Sequence, residues 1–246
     1  MSVRVAVVGA TGRLGQVVCD VVESSAGWDL VARIGSQDSL DTLQGAQIVV
    51  DVTTPAASEG VVRAALGHGA KVLVGTSGWS ADRLAALRKS LAEDDAVLVV
   101  PNFSVGSVVG TALATLAARF FDSVEIVETH HQDKIDSPSG TARRTAELIA
   151  QVRADKGGVV SPHSNQTARG EVVEGIPVHS LRLAGVVAQQ DVVYGGNAET
   201  LTIRHDTHSA DAYRQGIAVA LRALVNQRGL VVGLHEALGL GQVESE

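Results

Sequence analysis

One cysteine in 246 residues, Cys19, has no partner for an internal disulfide, a usage that suits a reducing compartment. Cys19 falls in an apolar helical pattern, so its thiol reads as a buried, inert side chain rather than a nucleophile. No apolar, uncharged run reaches the roughly 18 residues a membrane-spanning helix needs, so no span is expected. The start, Met1 to Val8, has no cationic stretch ahead of an apolar core. No secretory signal is therefore expected, and the expected location is cytoplasmic. Basic clusters are absent as well: 20 Lys and Arg stand against 27 Asp and Glu, a net charge of −7. That balance argues against a nucleic-acid partner. His130, His131 and Asp133 lack the spacing of metal ligands, and His205 and His208 stand without a supporting cysteine, so no metal is expected. There is no internal repeat and no low-complexity tract. What is present is 45% hydrophobic residues, enough for a real core in one large or two modest domains.

Val3 to Val8 is a valine-rich run of the kind buried on both faces of a parallel sheet. Gly9-Ala10-Thr11-Gly12-Arg13-Leu14-Gly15 follows at once, and Gln16 to Glu23 reads as an amphipathic helix. Strand, G-x-x-G-x-x-G turn and helix form a variant of the dinucleotide fingerprint. Gly9 permits the tight turn and Gly12 lets backbone approach a pyrophosphate. Gly15 lets helix and strand close up, with the phosphates at the helix N-terminus. Further buried strands are expected at Asp29 to Ile34, Gln47 to Val52, Lys71 to Val74 and Ala96 to Val100, with helices at Ala57 to Gly67 and from a Ser80 cap to Leu91. This alternation predicts a Rossmann-type doubly wound α/β sheet, whose ligands lie beyond the carboxyl ends of the strands. Gly9 to Leu14, Thr53 to Pro55, Gly75-Thr76-Ser77 and Val100-Pro101-Asn102-Phe103 are those ends. The second strand ends in Arg33 with Asp38 as the nearest carboxylate. Arg33, with Arg13, suits a 2′-phosphate, so the expectation leans to NADPH over NADH, with use of both as the alternative.

After an apolar helix over Val108 to Phe121 the pattern changes. Ser123 to Glu128 alternates as a strand and runs into His130, His131 and Lys134, two imidazoles and an ammonium within five positions. Ser137-Pro138-Ser139-Gly140-Thr141 then leads into a fresh helix. Proton carriers at a strand end, beside a helix start able to hold an anion, suit the grip and protonation of a small acidic substrate. Residues 154–175 read as a polar loop. Pro177 to Val187, Gln189 to Tyr194 and Glu199 to His205 read as strands of an open, mixed or largely antiparallel sheet in a second α+β domain. Tyr213 to Asn226 reads as an amphipathic helix. The expected division is a dinucleotide-binding domain over 1–105 plus 214–246, and a substrate-binding and oligomerisation domain over 106–213.

The glycine turn, Gly75-Thr76-Ser77-Gly78, Pro101-Asn102-Phe103-Ser104-Val105-Gly106, Glu128-Thr129-His130-His131-Gln132-Asp133-Lys134 and Asp136-Ser137-Pro138-Ser139-Gly140-Thr141-Ala142 together resemble, in order and spacing, the 4-hydroxy-tetrahydrodipicolinate reductase (dihydrodipicolinate reductase) family of the diaminopimelate route to lysine. The resemblance covers essentially the full chain. It implies hydride transfer from NADPH or NADH to a cyclic imine-type dicarboxylate, and a homotetramer assembled through the second sheet. By position it implies His130 as proton donor and Lys134 as its catalytic partner. His131, Ser139, Gly140 and Thr141 fall on substrate-binding positions, and Gly9 to Leu14, Gly75 to Ser77 and Val100 to Phe103 on cofactor contacts. Two departures stand out. The acidic residue the family often keeps after the second strand is replaced near Gly35, and an arginine expected near the returning helix is Ala210. From the residues alone, two other readings stay open: a different reductase of a small imine or amino acid, and a nucleotide-sensing protein without turnover.

Overall fold

The computed structural model describes residues 2–154 and 157–241; positions 155 and 156, inside the expected polar loop, and 242–246, inside the expected dinucleotide domain, lie outside the described residues. The chain divides into two compact units, residues 1–105 with 210–239, and residues 106–209 with the segment from Leu240. No helix among the described residues is long and apolar enough to cross a membrane.

In the first unit, strands β1 (Val3–Val8), β2 (Trp28–Ile34), β3 (Ile48–Asp51), β4 (Lys71–Val74) and β5 (Ala96–Val99) alternate with helices α1 (Arg13–Ser24), α2 (Pro55–Gly67) and α3 (Ala81–Ser90). A helix, α6 (Arg214–Asn226), and a strand, β11 (Gly229–Val232), return to complete it. The six strands lie in the order β11-β5-β4-β3-β1-β2, every pair parallel. Val5 to Val8, Ile48 to Val50 and Ala96 to Val99 are all buried, as unbroken apolar runs covered on both faces must be. α1 begins at Arg13, three residues before the expected Gln16, because Gly12 already takes the extended N-cap geometry. Ser80 caps α3 as expected, its hydroxyl accepting from the Arg83 N–H at 3.3 Å. Leu230-Val231-Val232, beyond the returning helix, is a full sheet member beside β5.

In the second unit, helices α4 (Val105–Ala117) and α5 (Gly140–Val152) accompany strands β6 (Ser123–His131), β7 (Glu171–Val173), β8 (Ile176–Leu183), β9 (Ala188–Gly196) and β10 (Glu199–Thr207). The order is β10-β9-β6-β8-β7; only β6 and β8 are parallel, so the sheet is mixed. Ala142, Ala146 and Ile149 of α5 and Ala114 of α4 pack with Val124, Ile126, Val178, Val192 and Tyr194 of the sheet. Three sequence expectations shift here. α4 starts at Val105 rather than Val108, since the Asn102 side chain accepts the Ser104 N–H at 2.9 Å and turns the chain early. The strand expected to Val187 stops at Leu183, where the chain turns through Gly185 at φ 82°. The polar loop contains β7, which pairs with β8.

Candidate active site

At the carboxyl edge of the first sheet, Gly9 has φ 87°, and a methyl group there would meet Val52 O at 2.4 Å. A methyl on Gly15 would lie 2.1 Å from Gly9 O, so α1 approaches the turn as closely as backbone permits. Gly12 caps α1 without a side-chain hydrogen bond, and no carboxylate occupies the first turn. The leading N–H groups of such a helix have no intrahelical acceptor and carry the positive end of its dipole. Ala10, Thr11, Arg13 and Leu14 surround this bare helix start, and the cradle fits a pyrophosphate.

Arg33 lies at the end of β2 as expected, but its side chain turns along α1. The Arg33 guanidinium is 2.6 Å from Glu23, near the far end of α1 from the glycine turn. Ten residues of helix separate Arg13 from Glu23, about 15 Å of rise. Asp38 instead folds back so that its Oδ2 accepts the Gly35 N–H at 2.7 Å. A methyl on Gly35 would sit 3.4 Å from that Asp38 oxygen and 3.8 Å from Thr11. The edge of β2 therefore offers a carboxylate beside the glycine turn, and Arg33 is not brought to it.

The turns after β3 and β4 are tied together by a residue without an assigned role in the sequence. Asp51, fully buried, accepts from the Thr53 N–H at 3.1 Å and the Thr53 hydroxyl at 2.6 Å, and also from the Ser58 hydroxyl. Thr53 N–H also reaches the Thr76 hydroxyl at 2.8 Å, and Trp79 Nε1–H donates to Ser58 at 3.0 Å. Gly75 lies against the Phe103 ring, where an added methyl would meet Cε2 at 2.6 Å. Gly75, Thr76 and Phe103 thus share one edge with Val100, Pro101 and Asn102, with Ser77 next along the chain.

In the second unit, β6 carries the histidines. Its alternation puts Glu128 and His130 on one face and His131 on the other. Glu128 is 0% exposed. Its Oε2 meets His130 Nδ1 at 2.5 Å and the Arg182 Nη1–H at 3.0 Å; its Oε1 accepts from Arg182 Nη2–H at 3.0 Å and Ser139 N–H at 3.2 Å. Burial alone would push this carboxyl up, but the hydrogen bonds from His130, Arg182 and Ser180 outweigh it and hold it at about 2. Glu128 is therefore an anion at any working pH. His130 must carry its proton on Nδ1 to meet it, which leaves Nε2 as the nitrogen for a substrate.

Lys134 Nζ–H donates to Asp136 Oδ1 at 2.7 Å. The Lys134 hydrogen bond, against a smaller opposing effect of burial, lowers the Asp136 carboxyl below its ordinary value. Asp136 is 62% exposed, so an incoming carboxylate can take its place. Ser139 caps α5, its hydroxyl accepting the Ala142 N–H at 3.2 Å. With its own N–H on Glu128, both polar groups of Ser139 serve the framework. A methyl on Gly140 would meet nothing within 4 Å, so the space over the start of α5 is open. His130, Lys134 and the first turn of α5 make an anion cradle with a proton carrier. Among the described residues no group of three or more His, Cys, Asp or Glu is placed to hold a metal ion.

Comparison with known proteins gives the family and the fold. Residues 3–103 match the family model for the N-terminus of dihydrodipicolinate reductase, and residues 106–238 the model for its C-terminus. The chain is 56% identical over 242 residues to 4-hydroxy-tetrahydrodipicolinate reductase of Clavibacter michiganensis subsp. michiganensis, covering 98% of this chain and 87% of that protein. It is 46% identical over 245 residues to the protein of that name in Streptomyces griseus, covering 96% and 98% of the two chains. Among solved structures, dipicolinate-bound dihydrodipicolinate reductase from Paenisporosarcina sp. TG-14 superimposes with a TM-score of 0.79 at 30% identity, covering 96% of this chain and 99% of that one. An amine dehydrogenase from Mycobacterium smegmatis, at 12% identity and a TM-score of 0.63, shares the fold.

Proposed function

The chain belongs to the dihydrodipicolinate reductase family, and from that premise we propose that it reduces 4-hydroxy-tetrahydrodipicolinate to tetrahydrodipicolinate with NADPH or NADH. The observation that carries the reading is the join of His130, Lys134 and the open start of α5 on one edge of the second unit.

The first unit holds the cofactor: the bare N-terminus of α1 takes the pyrophosphate, and the turns at Thr53, Gly75 to Ser77 and Val100 to Phe103 take the nicotinamide half. When bound, the nicotinamide supplies a hydride. The chain's own residues do the rest. Lys134 exchanges Asp136 for a substrate carboxylate, and the first N–H groups of α5, at Gly140 and Thr141, hold negative charge. His130, protonated at Nε2 as well as Nδ1, delivers a proton from Nε2 as the acceptor gains electrons, a role worth about 10²–10⁴ in rate. His131 lies on the face of β6 opposite His130, so its part in substrate binding is a contact made around the end of the strand.

For the adenosine ribose, the Asp38 carboxylate near Gly35 and the engagement of Arg33 with Glu23 support acceptance of NADH. This reverses the lean toward NADPH that Arg33 suggested. The exposed side chains of Leu181 and Leu183 on β8 support a homotetramer built through this sheet, which sedimentation would reveal. A cytoplasmic location belongs to the same proposal, with Cys19 a buried thiol.

Condensing aspartate semialdehyde with pyruvate in situ and following loss of NADPH or NADH absorbance tests the function. Turnover that requires both carbonyl compounds supports it. Oxidation of the cofactor by monocarboxylate imines alone would make the chain a different reductase, and binding without oxidation would make it a sensor.

A further inference from the structure

Arg182 carries five N–H donors, and the structure spends all five. Nε–H reaches Lys134 O at 3.3 Å. Nη1–H groups go to Glu128 Oε2 at 3.0 Å and Leu181 O at 2.6 Å, and Nη2–H groups to Glu128 Oε1 at 3.0 Å and Asp136 O at 2.6 Å. A guanidinium so occupied has no donor left for a substrate carboxylate. Glu128 is equally full. Its two oxygens meet donors from three separate segments: His130 on its own strand, Arg182 and Ser180 on β8, and the Ser139 N–H at the cap of α5. The parallel register sets His130 opposite Arg182 and Glu128 opposite Ser180, so the geometry is fixed by the sheet.

We infer that Glu128 and Arg182 form a positioning pair: Glu128 fixes His130 with Nε2 turned to the substrate, and Arg182 moors the 132–139 loop so that Lys134 and the start of α5 hold their places. The inference rests on His130 being the proton donor. Two links carry it. An acceptor-only partner at 2.5 Å admits a neutral imidazole in one tautomer alone, with hydrogen on Nδ1 and the lone pair on Nε2. Arg182 bonds the carbonyls of both Lys134 and Asp136, so the backbone on either side of Ile135, a residue 99% exposed, is clamped while its tip is not.

The test uses full-length enzyme in four forms: wild type, Glu128→Gln, Glu128→Asp and Arg182→Lys. Histidine ring ¹⁵N spectra report the tautomer of His130, assigned by the resonance lost in His130→Asn, and need no substrate. Wild type should show neutral His130 protonated at Nδ1. Glu128→Gln should release it toward the commoner Nε2–H form and lower kcat by up to about 10⁴-fold, as when another buried partner of a catalytic histidine is neutralised. Glu128→Asp keeps a buried anion for Arg182, guarding the fold, yet is too short to hold His130; the same tautomer change is expected with a smaller loss. Arg182→Lys cannot reproduce the fork, and should raise the substrate KM and lower kcat about tenfold each while leaving the cofactor KM within twofold. An unchanged tautomer in both Glu128 variants, or losses spread equally over kcat, both KM values and unfolding, would overturn the pair. Failure of wild type to turn over would instead sink the reductase reading, so the two failures are separable.

Discussion

Asp51→Asn is the substitution whose effect on the cofactor edge the structure fixes most closely. The buried carboxylate accepts three donors: the Thr53 N–H, the Thr53 hydroxyl and the Ser58 hydroxyl. Ser58 already accepts Trp79 Nε1–H at 3.0 Å; its other lone pair can take an amide N–H, but its own proton then has no carboxylate to meet. An amide keeps one acceptor facing Thr53 but turns an NH₂ onto Ser58, leaving the serine proton and one amide proton without acceptors. Hydrogen bonds to a charged group contribute about 1.5–3 kcal/mol each, and an orphaned buried donor costs about 1–3. Losing one bond outright and weakening the others gives about 2–4 kcal/mol of destabilisation. The two tryptophans, Trp28 and Trp79, both lie in the first unit, so tryptophan emission during urea unfolding reads the unit that houses Asp51. The second readout is ligand affinity. Thr53 and Thr76 border the nicotinamide half of the proposed cofactor site, so NADH affinity should fall about fivefold or more, whereas ADP-ribose affinity should hold within twofold. An unfolding midpoint equal to wild type, or equal losses for NADH and ADP-ribose, would refute the reasoning.

Four further outcomes are expected. His130→Ala or Lys134→Ala should each lower kcat by about 10²–10⁴ with cofactor affinity unchanged, checked by steady-state kinetics and NADH titration. Gly140→Ala should fold normally, since the new methyl meets no protein atom within 4 Å, and helix propensity favours alanine by up to about 1 kcal/mol; the methyl should raise the substrate KM several-fold, and an unaltered KM would place the substrate elsewhere. Asp38→Ala should weaken NADH more than NADPH, so a ratio of Michaelis constants that stays put would remove Asp38 from the ribose site. Glu128 has a depressed folded pKa, about 2 against an ordinary 4.5. Its contribution is thus fully present above pH 4.5 and is lost as pH falls from there toward 2, on the order of 3 kcal/mol in all. Urea unfolding in steps across that window should show Glu128→Gln losing less stability than wild type, and parallel curves would contradict it.

The first sheet was legible because uninterrupted runs such as Val5 to Val8 and Ile48 to Val50 announce burial on both faces, and each runs into a turn or helix start. The glycine turn, His130, Lys134 and the α5 start were legible as local clusters. Asp51 escaped because a carboxylate closing a valine strand looks like punctuation; only folding brings it to Thr53, Ser58 and, through Ser58, Trp79. Glu128 carried a usable signal, a carboxylate two residues before a histidine on one strand face, but its meaning depends on Arg182, 54 positions away and delivered by strand register. Arg33 shows the converse. Its position at the strand end was right, yet the side chain had a nearer anion in Glu23, and which carboxylate an arginine finds is settled by the helix beside it. β7 was hidden because three residues in a polar stretch leave no periodicity to read.

The most direct test is a crystal structure of this chain with NADH and pyridine-2,6-dicarboxylate bound together. The account predicts one carboxylate on the Gly140 and Thr141 amides and Lys134 Nζ, with the Lys134 contact to Asp136 released, and the ring within hydrogen-bonding reach of His130 Nε2. A dianion bound away from these groups, with Lys134 still on Asp136, would contradict it.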